Sequence, residues 1–241
     1  MKSFIYLVNY KSKMRKSVTK CLIEFVVIIA GISISFYVEK LNENDYKENL
    51  KNQSLKRILK NIETDTRDFN FNLDANNRAI YSINWIINRN KKIEIYSKDS
   101  IGFHLNRAFY YNTILVDNQE EYRGLQNSGL MEMVENGDLV SKLQGKYITH
   151  EFMKKIEGYI MEKRKDLDIF SYSNLKYKSD SLDELGLQFD RIYTSRKNIP
   201  SRIIEIIYDK KFYHSYYVRL IQSRIKNDEK LIKIINKEIN N

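Results

Sequence analysis

One cysteine, one proline and one tryptophan occur in 241 residues, and the first twenty contain no acidic residue. Each scarcity excludes something. The single thiol, Cys21, cannot close an intramolecular disulfide or build a thiolate zinc site, and a free cysteine behaves as a small apolar residue. With one proline and eight glycines there are few obligatory backbone breaks, so long helices are expected. His104, His150 and His214 are far apart and none belongs to an H-E-x-x-H helix. There is no Walker-type phosphate loop, no G-x-G-x-x-G and no G-x-S-x-G turn. The histidines therefore read as partly exposed polar residues, not ligands. Gly124, Gly129 and Gly137 are spaced as helix stops, and Glu120-Glu121 reads as charge at a helix surface or first turn. No catalytic residue, cofactor site or metal site is expected, and the protein reads as a non-enzyme.

What the chain does have is one long apolar run. Residues 21–38, CLIEFVVIIAGISISFYV, are interrupted only by Glu24. As a helix, 18 residues extend about 27 Å, close to the roughly 30 Å hydrocarbon core of a bilayer. The flank before it carries Lys2, Lys11, Lys13, Arg15, Lys16 and Lys20, which supply six of the formal charges behind the net +10. Placed there, Lys11, Lys13, Arg15, Lys16 and Lys20 act as a topology signal that keeps the N-terminus cytoplasmic. The remaining charge is mixed with Asp and Glu, so nucleic acid is not an expected partner. A cleaved signal peptide, with Gly31-x-Ser33 or Ser33-x-Ser35 as a cleavage site, and a buried soluble helix are the alternatives. An uncleaved anchor is preferred, because neither proline nor glycine follows Ser35 closely and Phe36 and Tyr37 suit the far interface. The division is then a basic cytoplasmic segment 1–20, a transmembrane helix 21–38 and an extracytoplasmic helical domain 39–241. The implied setting is a bacterial inner membrane crossed once, with the C-terminal domain periplasmic.

At 100° per residue, Glu24, Gly31 and Ser35 fall on one stripe of this helix. Gly31-x-x-x-Ser35 would let a second helix approach closely, giving a transmembrane association face and a homo-oligomer or membrane-complex subunit. Two other readings of Glu24 stay open. It enters the apolar run by only about 4.5 Å and would meet the interface or pair with Lys20, or it would titrate during ion flow.

Beyond the span, Leu50, Leu55, Ile58, Leu59 and Ile62 keep a three-four spacing that continues the helix to about 65–71. Residues 73–87 read as a second helix returning toward the first, and 91–97 as a polar connection with a short extended piece at 93–96. Ser100 reads as the cap of a helix through Phe109. Asn118 and Glu121 have capping-box spacing for a helix stopping at Gly129, and 135–138 is a turn. Leu139, Leu143, Tyr147, Phe152, Ile156 and Ile160 mark a long helix ending near 171–181. Pro200 suits the first turn of a helix with Ile203 and Ile207, and Phe212, Tyr216, Leu220, Ile225 and Leu231 mark a last one. Phe212, Tyr213, Tyr216 and Tyr217 read as packing rather than the lining of a ligand cleft. The expected fold class is all-α: one N-terminal transmembrane helix continuing into an elongated extracytoplasmic helical bundle.

Two segments resemble an uncharacterised family of bacterial single-span membrane proteins, a domain of unknown function. Its span follows G-E-x-x-L-V-x-x-G-I-x-I-A-L-x-x-N-x-W-N-E, matched here by Glu24, Gly31, Ile32, Ile34, Asn42 and Glu43. Its second motif, Y-x-x-L-x-x-S-G-x-x-x-x-x-x-N, is matched by Tyr122, Leu125, Ser128, Gly129 and Asn136, with Leu139, Leu143 and Tyr147 following. Ile23 stands where that family tends to glycine, Ser35 where it has alanine and Leu41 where it has tryptophan. The resemblance implies the same topology and no activity. The functional expectation is a membrane-anchored, non-catalytic scaffold or sensor-like accessory protein whose outer helical domain binds a partner or ligand. A subunit of an ion-driven membrane complex, with Glu24 titrating, is the alternative, and a small extracytoplasmic enzyme the third.

Overall fold

A computed structural model describes residues 2–187, 189–195 and 197–240, excluding the side chains of 2–19, 179–181 and 189. The described chain is mostly helical, and its only sheet is a small two-stranded one, so its fold class is all-α. The helices are α1 (Lys2–Arg89), α2 (Lys98–Tyr110), α3 (Glu120–Asn127), α4 (Gly137–Glu162), α5 (Arg164–Asn174) and α6 (Ser201–Ile239); β1 (Leu175–Leu182) and β2 (Phe189–Tyr193) lie between α5 and α6. The chain divides into two units, Met1–Asn52 and Gln53–Asn241.

In the first unit, the described side chains from Lys20 to Tyr46 are all exposed, including Phe25, Ile28, Ile32 and Phe36. The second unit has a core. Residues Ile58, Ile62, Phe69, Ala79 and Ile83 of α1 are fully buried at four-, seven- and ten-residue steps that keep one helical face inward. Phe69 joins Met153, Ile156 and Ile160 of α4 and Tyr217 and Ile221 of α6, with Leu115 inserted from the irregular segment between α2 and α3. A second cluster joins Ile83 and Ile86 to α2, α5, the hairpin and the start of α6 through Leu105, Phe109, Leu167, Tyr193 and Ile207.

Several boundaries differ from the sequence expectation. There is no break at 65–71 and no returning helix at 73–87, because α1 runs on to Arg89. The asparagines that suggested a loop bond within the helix instead: Asn72 Nδ2 donates to Asp68 O at 2.8 Å and Asn76 Nδ2 to Asn72 O at 2.7 Å. Residues Asn90–Ile95 form a 3₁₀ turn, not an extended piece. Ser97 rather than Ser100 caps α2, its Oγ accepting from Ser100 N at 3.0 Å. Gly129, at φ 74°, follows α3 as expected, whereas Gly124 lies inside α3 and Gly137 opens α4, where Asn136 caps Asp138 and Leu139. The long fourth helix is interrupted at Lys163, and α5 leads into a hairpin that the polar stretch 171–181 concealed. Finally, the Pro200 helix and the last helix are one, α6.

Antiparallel pairing in the hairpin runs Leu175 with Tyr193, Lys176 with Ile192 and Tyr177 with Arg191. Its turn is closed by Asp183, whose Oδ1 accepts from Leu185 N and Leu187 N at 3.1 and 3.0 Å, and by Gly186 at φ 68°. Gly102 lets α2 meet β2 backbone to backbone: a Cβ there would stand 2.2 Å from Arg191 O.

Candidate functional site

Two places concentrate unusual chemistry. The first is the apolar stretch of α1, whose best 18-residue window has mean hydropathy 2.3 and no buried residue. By length and composition it is a helix able to cross a membrane. Glu24 is exposed there and lies 3.9 Å from Lys20 Nζ, one turn toward the N-terminus. Around Gly31, no atom lies within 4 Å of the position a Cβ would take. Ser35 Oγ donates to Gly31 O at 3.0 Å, so its hydroxyl is satisfied within its own helix and the residue presents a small surface. Gly31 and Ser35 share a shallow groove with Ile28, Ile32, Phe36 and Glu39. The side chains of Lys11, Lys13, Arg15 and Lys16 lie outside the described residues, and only Lys20 of that set is placed.

The second is a charge cluster inside the second unit. Lys146 of α4 is fully buried between two carboxylates, 2.8 Å from Asp65 Oδ2 of α1 and 3.0 Å from Asp228 Oδ2 of α6. Arg224 holds the other oxygen of Asp228, through Nε at 3.0 Å and Nη2 at 2.7 Å. One turn along α4, His150 Nε2 lies 3.4 Å from Lys146 Nζ, and its Nδ1 lies 3.4 Å from Asp117 Oδ2. Since an ammonium can only donate, Nε2 accepts and Nδ1–H points to Asp117. Asp117 also accepts from Lys154 and Gln119. The cluster thus ties three helices and the segment before α3 through charge-assisted contacts.

Burial sets the ionisation of these groups. Loss of solvent pushes Asp65 up despite Lys146 beside it. For Asp117 the same burial is overcome by the hydrogen bonds from Lys154 and Gln119, which hold it below the usual carboxylate range. Burial, reinforced by the Lys146 charge, pushes His150 down to about 3, so the imidazole is neutral at pH 7 and its contact with Asp117 is a hydrogen bond, not an ion pair.

The other histidines also sit inside, contrary to the expected partial exposure. His104 stacks on Trp85 at 4.2 Å and contacts Ser82 Oγ at 3.2 Å, with burial lowering it to about 4. His214 Nδ1 lies 2.6 Å from Asn76 Oδ1. A helical register places them there, since each occupies a core position of an otherwise apolar face. A further buried cation, Lys210, donates to Phe109 O at 2.6 Å and Asn112 Oδ1 at 3.2 Å, and burial lowers it to about 7. Glu157 accepts from Leu115 N at 2.8 Å and from the Tyr217 hydroxyl.

No group of three His, Cys, Asp or Glu side chains suited to a metal ion occurs among the described residues. Where carboxylates do converge, the Lys146 ammonium stands between them. The arrangement can lock helices in register and couple any movement of one to the others. Comparison with protein-family models, curated proteins and solved structures finds no match to this chain.

The sequence-expected residues Glu24, Gly31 and Ser35 share one helix, and none of them belongs to the charge cluster, which the sequence reading missed. Its signal was nevertheless there. Lys146 and His150 interrupt the apolar series Leu139, Leu143, Met153, and Arg224 and Asp228 stand between Ile221 and Leu231, at core positions where a charge needs a partner.

Proposed function

We propose that this chain is a membrane-anchored, non-catalytic scaffold or sensor-like accessory protein. Residues 21–38 cross a bacterial inner membrane once, with the N-terminus cytoplasmic, and the helical domain works outside by binding a partner or ligand. The observation that carries this reading is the bare apolar surface of 21–38 in a chain whose second unit has a core of its own. An exposed surface of that kind in water is unfavourable by about 25 cal/mol per Å², and lipid removes the penalty. The lysines and arginine at positions 11–20 and the resemblance to single-span bacterial proteins support the orientation. Glu24 within reach of Lys20, one turn toward the basic flank, supports interfacial pairing over an ion-carrying role.

Topology is tested with Tyr172→Cys, a fully solvated position on α5 (82% exposed), in a Cys21→Ser background. A membrane-impermeant maleimide applied to intact spheroplasts should label this cysteine. Labelling only after lysis would overturn the orientation.

A further inference from the structure

Between α4 and α6 a cleft of about 350 Å³ opens to solvent, and its lining contains three cations and no carboxylate. From α6 come Arg224, Asn227 and Lys230, spaced by three so that they share one face; from α4 come Ser141, Lys142 and Gly145. Lys142 is held by Asp138 at 2.9 Å, and Arg224 by Asp228. Lys230 has no carboxylate partner among the described residues. Arg224 directs Nε and Nη2 at Asp228, which leaves the Nη1 hydrogens for another acceptor. Thr149, also in the lining, already donates its hydroxyl to Gly145 O at 2.7 Å. The lining thus offers several donors: the Lys230 ammonium, the remaining hydrogens of Lys142, the Arg224 Nη1 group, and the Ser141 hydroxyl and Asn227 amide, which can donate as well as accept. Gly145 leaves the α4 side of the cleft open: apart from its own helix backbone and chain neighbours, nothing lies within 4 Å of where a Cβ would stand. Clefts that hold small molecules occupy roughly 300–1,000 Å³ and are mostly apolar, so a small polar one rich in donors suits a compact anion.

We propose that this cleft binds a small phosphate-bearing anion, seated between Lys142 and Lys230 and against the outer edge of Arg224. The proposal deepens the ligand-binding reading above by naming a ligand class and a place for it. Arg224 belongs both to the cleft and to the buried cluster, so an occupied cleft bears on the contacts that fix α4 against α6. The phosphate has two sources, a soluble ester or pyrophosphate and a lipid headgroup.

The experiment uses the full chain in a neutral detergent, titrated with pyrophosphate at constant ionic strength and followed by calorimetry and thermal unfolding. Saturable one-site binding that raises Tm is expected. Lys230→Ala should weaken it about tenfold or more, the usual effect of losing a hydrogen bond to a charged group. Gly145→Leu keeps every charge and puts a bulky side chain into the α4 side of the cleft, so it should abolish binding. A parallel titration with dioctanoyl phosphatidic acid in mixed micelles separates the sources: tighter binding than pyrophosphate assigns a headgroup, weaker binding a soluble anion. No saturable binding of either probe, or unchanged affinity in Gly145→Leu, overturns the proposal. Neither result alters the labelling of Tyr172→Cys, so failure here and failure of the topology are distinct.

Discussion

Residues 21–38 and the centre of the second unit are opposites. In the first, Phe25, Ile28 and Ile32 face outward and Glu24 is the single acid. In the second, Lys146, Asp65, Asp228 and Arg224 face inward, each at most 5% exposed. Each inverts the usual order of a water-soluble protein, and each inversion needs a different remedy. The outward apolar surface needs another solvent, which only a membrane or a partner supplies. The inward charges need one another, and the chain supplies these partners itself. The difference separates a region whose stability depends on its surroundings from one whose stability depends on internal pairing.

The pairing is most directly broken at its centre. Lys146→Met removes the cation between two buried carboxylates, and the expected loss is about 3–5 kcal/mol of unfolding free energy. Urea unfolding of the second unit, followed by tyrosine fluorescence, reads it; a loss below about 1 kcal/mol would mean that the cluster contributes little.

A second, smaller effect comes from pH. With folded-state values of about 3 for His150 and about 4 for His104, against 6.5 when unfolded, the unfolded chain takes up protons that the folded chain refuses. Their contribution is complete above pH 6.5 and is lost as pH falls toward those values, by about 2 kcal/mol per histidine at pH 5. Asp65 and Glu157, pushed up by burial, oppose this loss because they bind protons earlier in the folded state. His150→Asn should flatten the decline between pH 6.5 and 5 in thermal unfolding, whereas a parallel curve would show that His150 does not titrate as its burial implies.

The outward region is probed by association rather than unfolding. Gly31→Ile fills the open side of the helix, and a membrane two-hybrid assay should report weaker self-association by about 1–2 kcal/mol. Equal signals would remove this face from consideration. Smallest of all, Glu24→Gln should leave localisation and partners unchanged, since an exposed pair with Lys20 is worth about 0–1 kcal/mol. A complete loss of function would favour an ion-coupled subunit instead.

The sequence was more legible for elements than for the way they meet. The apolar run and the Gly129 stop rest on local spacing and could be read directly, whereas the cap of α4 is Asn136, read only as part of a turn. The uninterrupted course of α1 past Asp65 could not, because Asn72 and Asn76 signal a loop unless their side chains bond to the preceding turn. The hairpin was also hidden. Its strands are polar and irregular, and its place on α2 depends on the missing side chain of Gly102, a long-range contact without a local trace. In the same way, Glu24, Gly31 and Ser35 form a pattern on one helix, whereas Lys146 meets Asp65 and Asp228 across 81 and 82 positions of sequence.

The Lys146 ammonium also acts as a detent. A slide of α1 or α6 along α4 by one helical turn, about 5.4 Å, would carry Asp65 or Asp228 out of its reach. Small tilts leave the contacts intact and large slips break them together, so the domain resists displacement in steps and not smoothly.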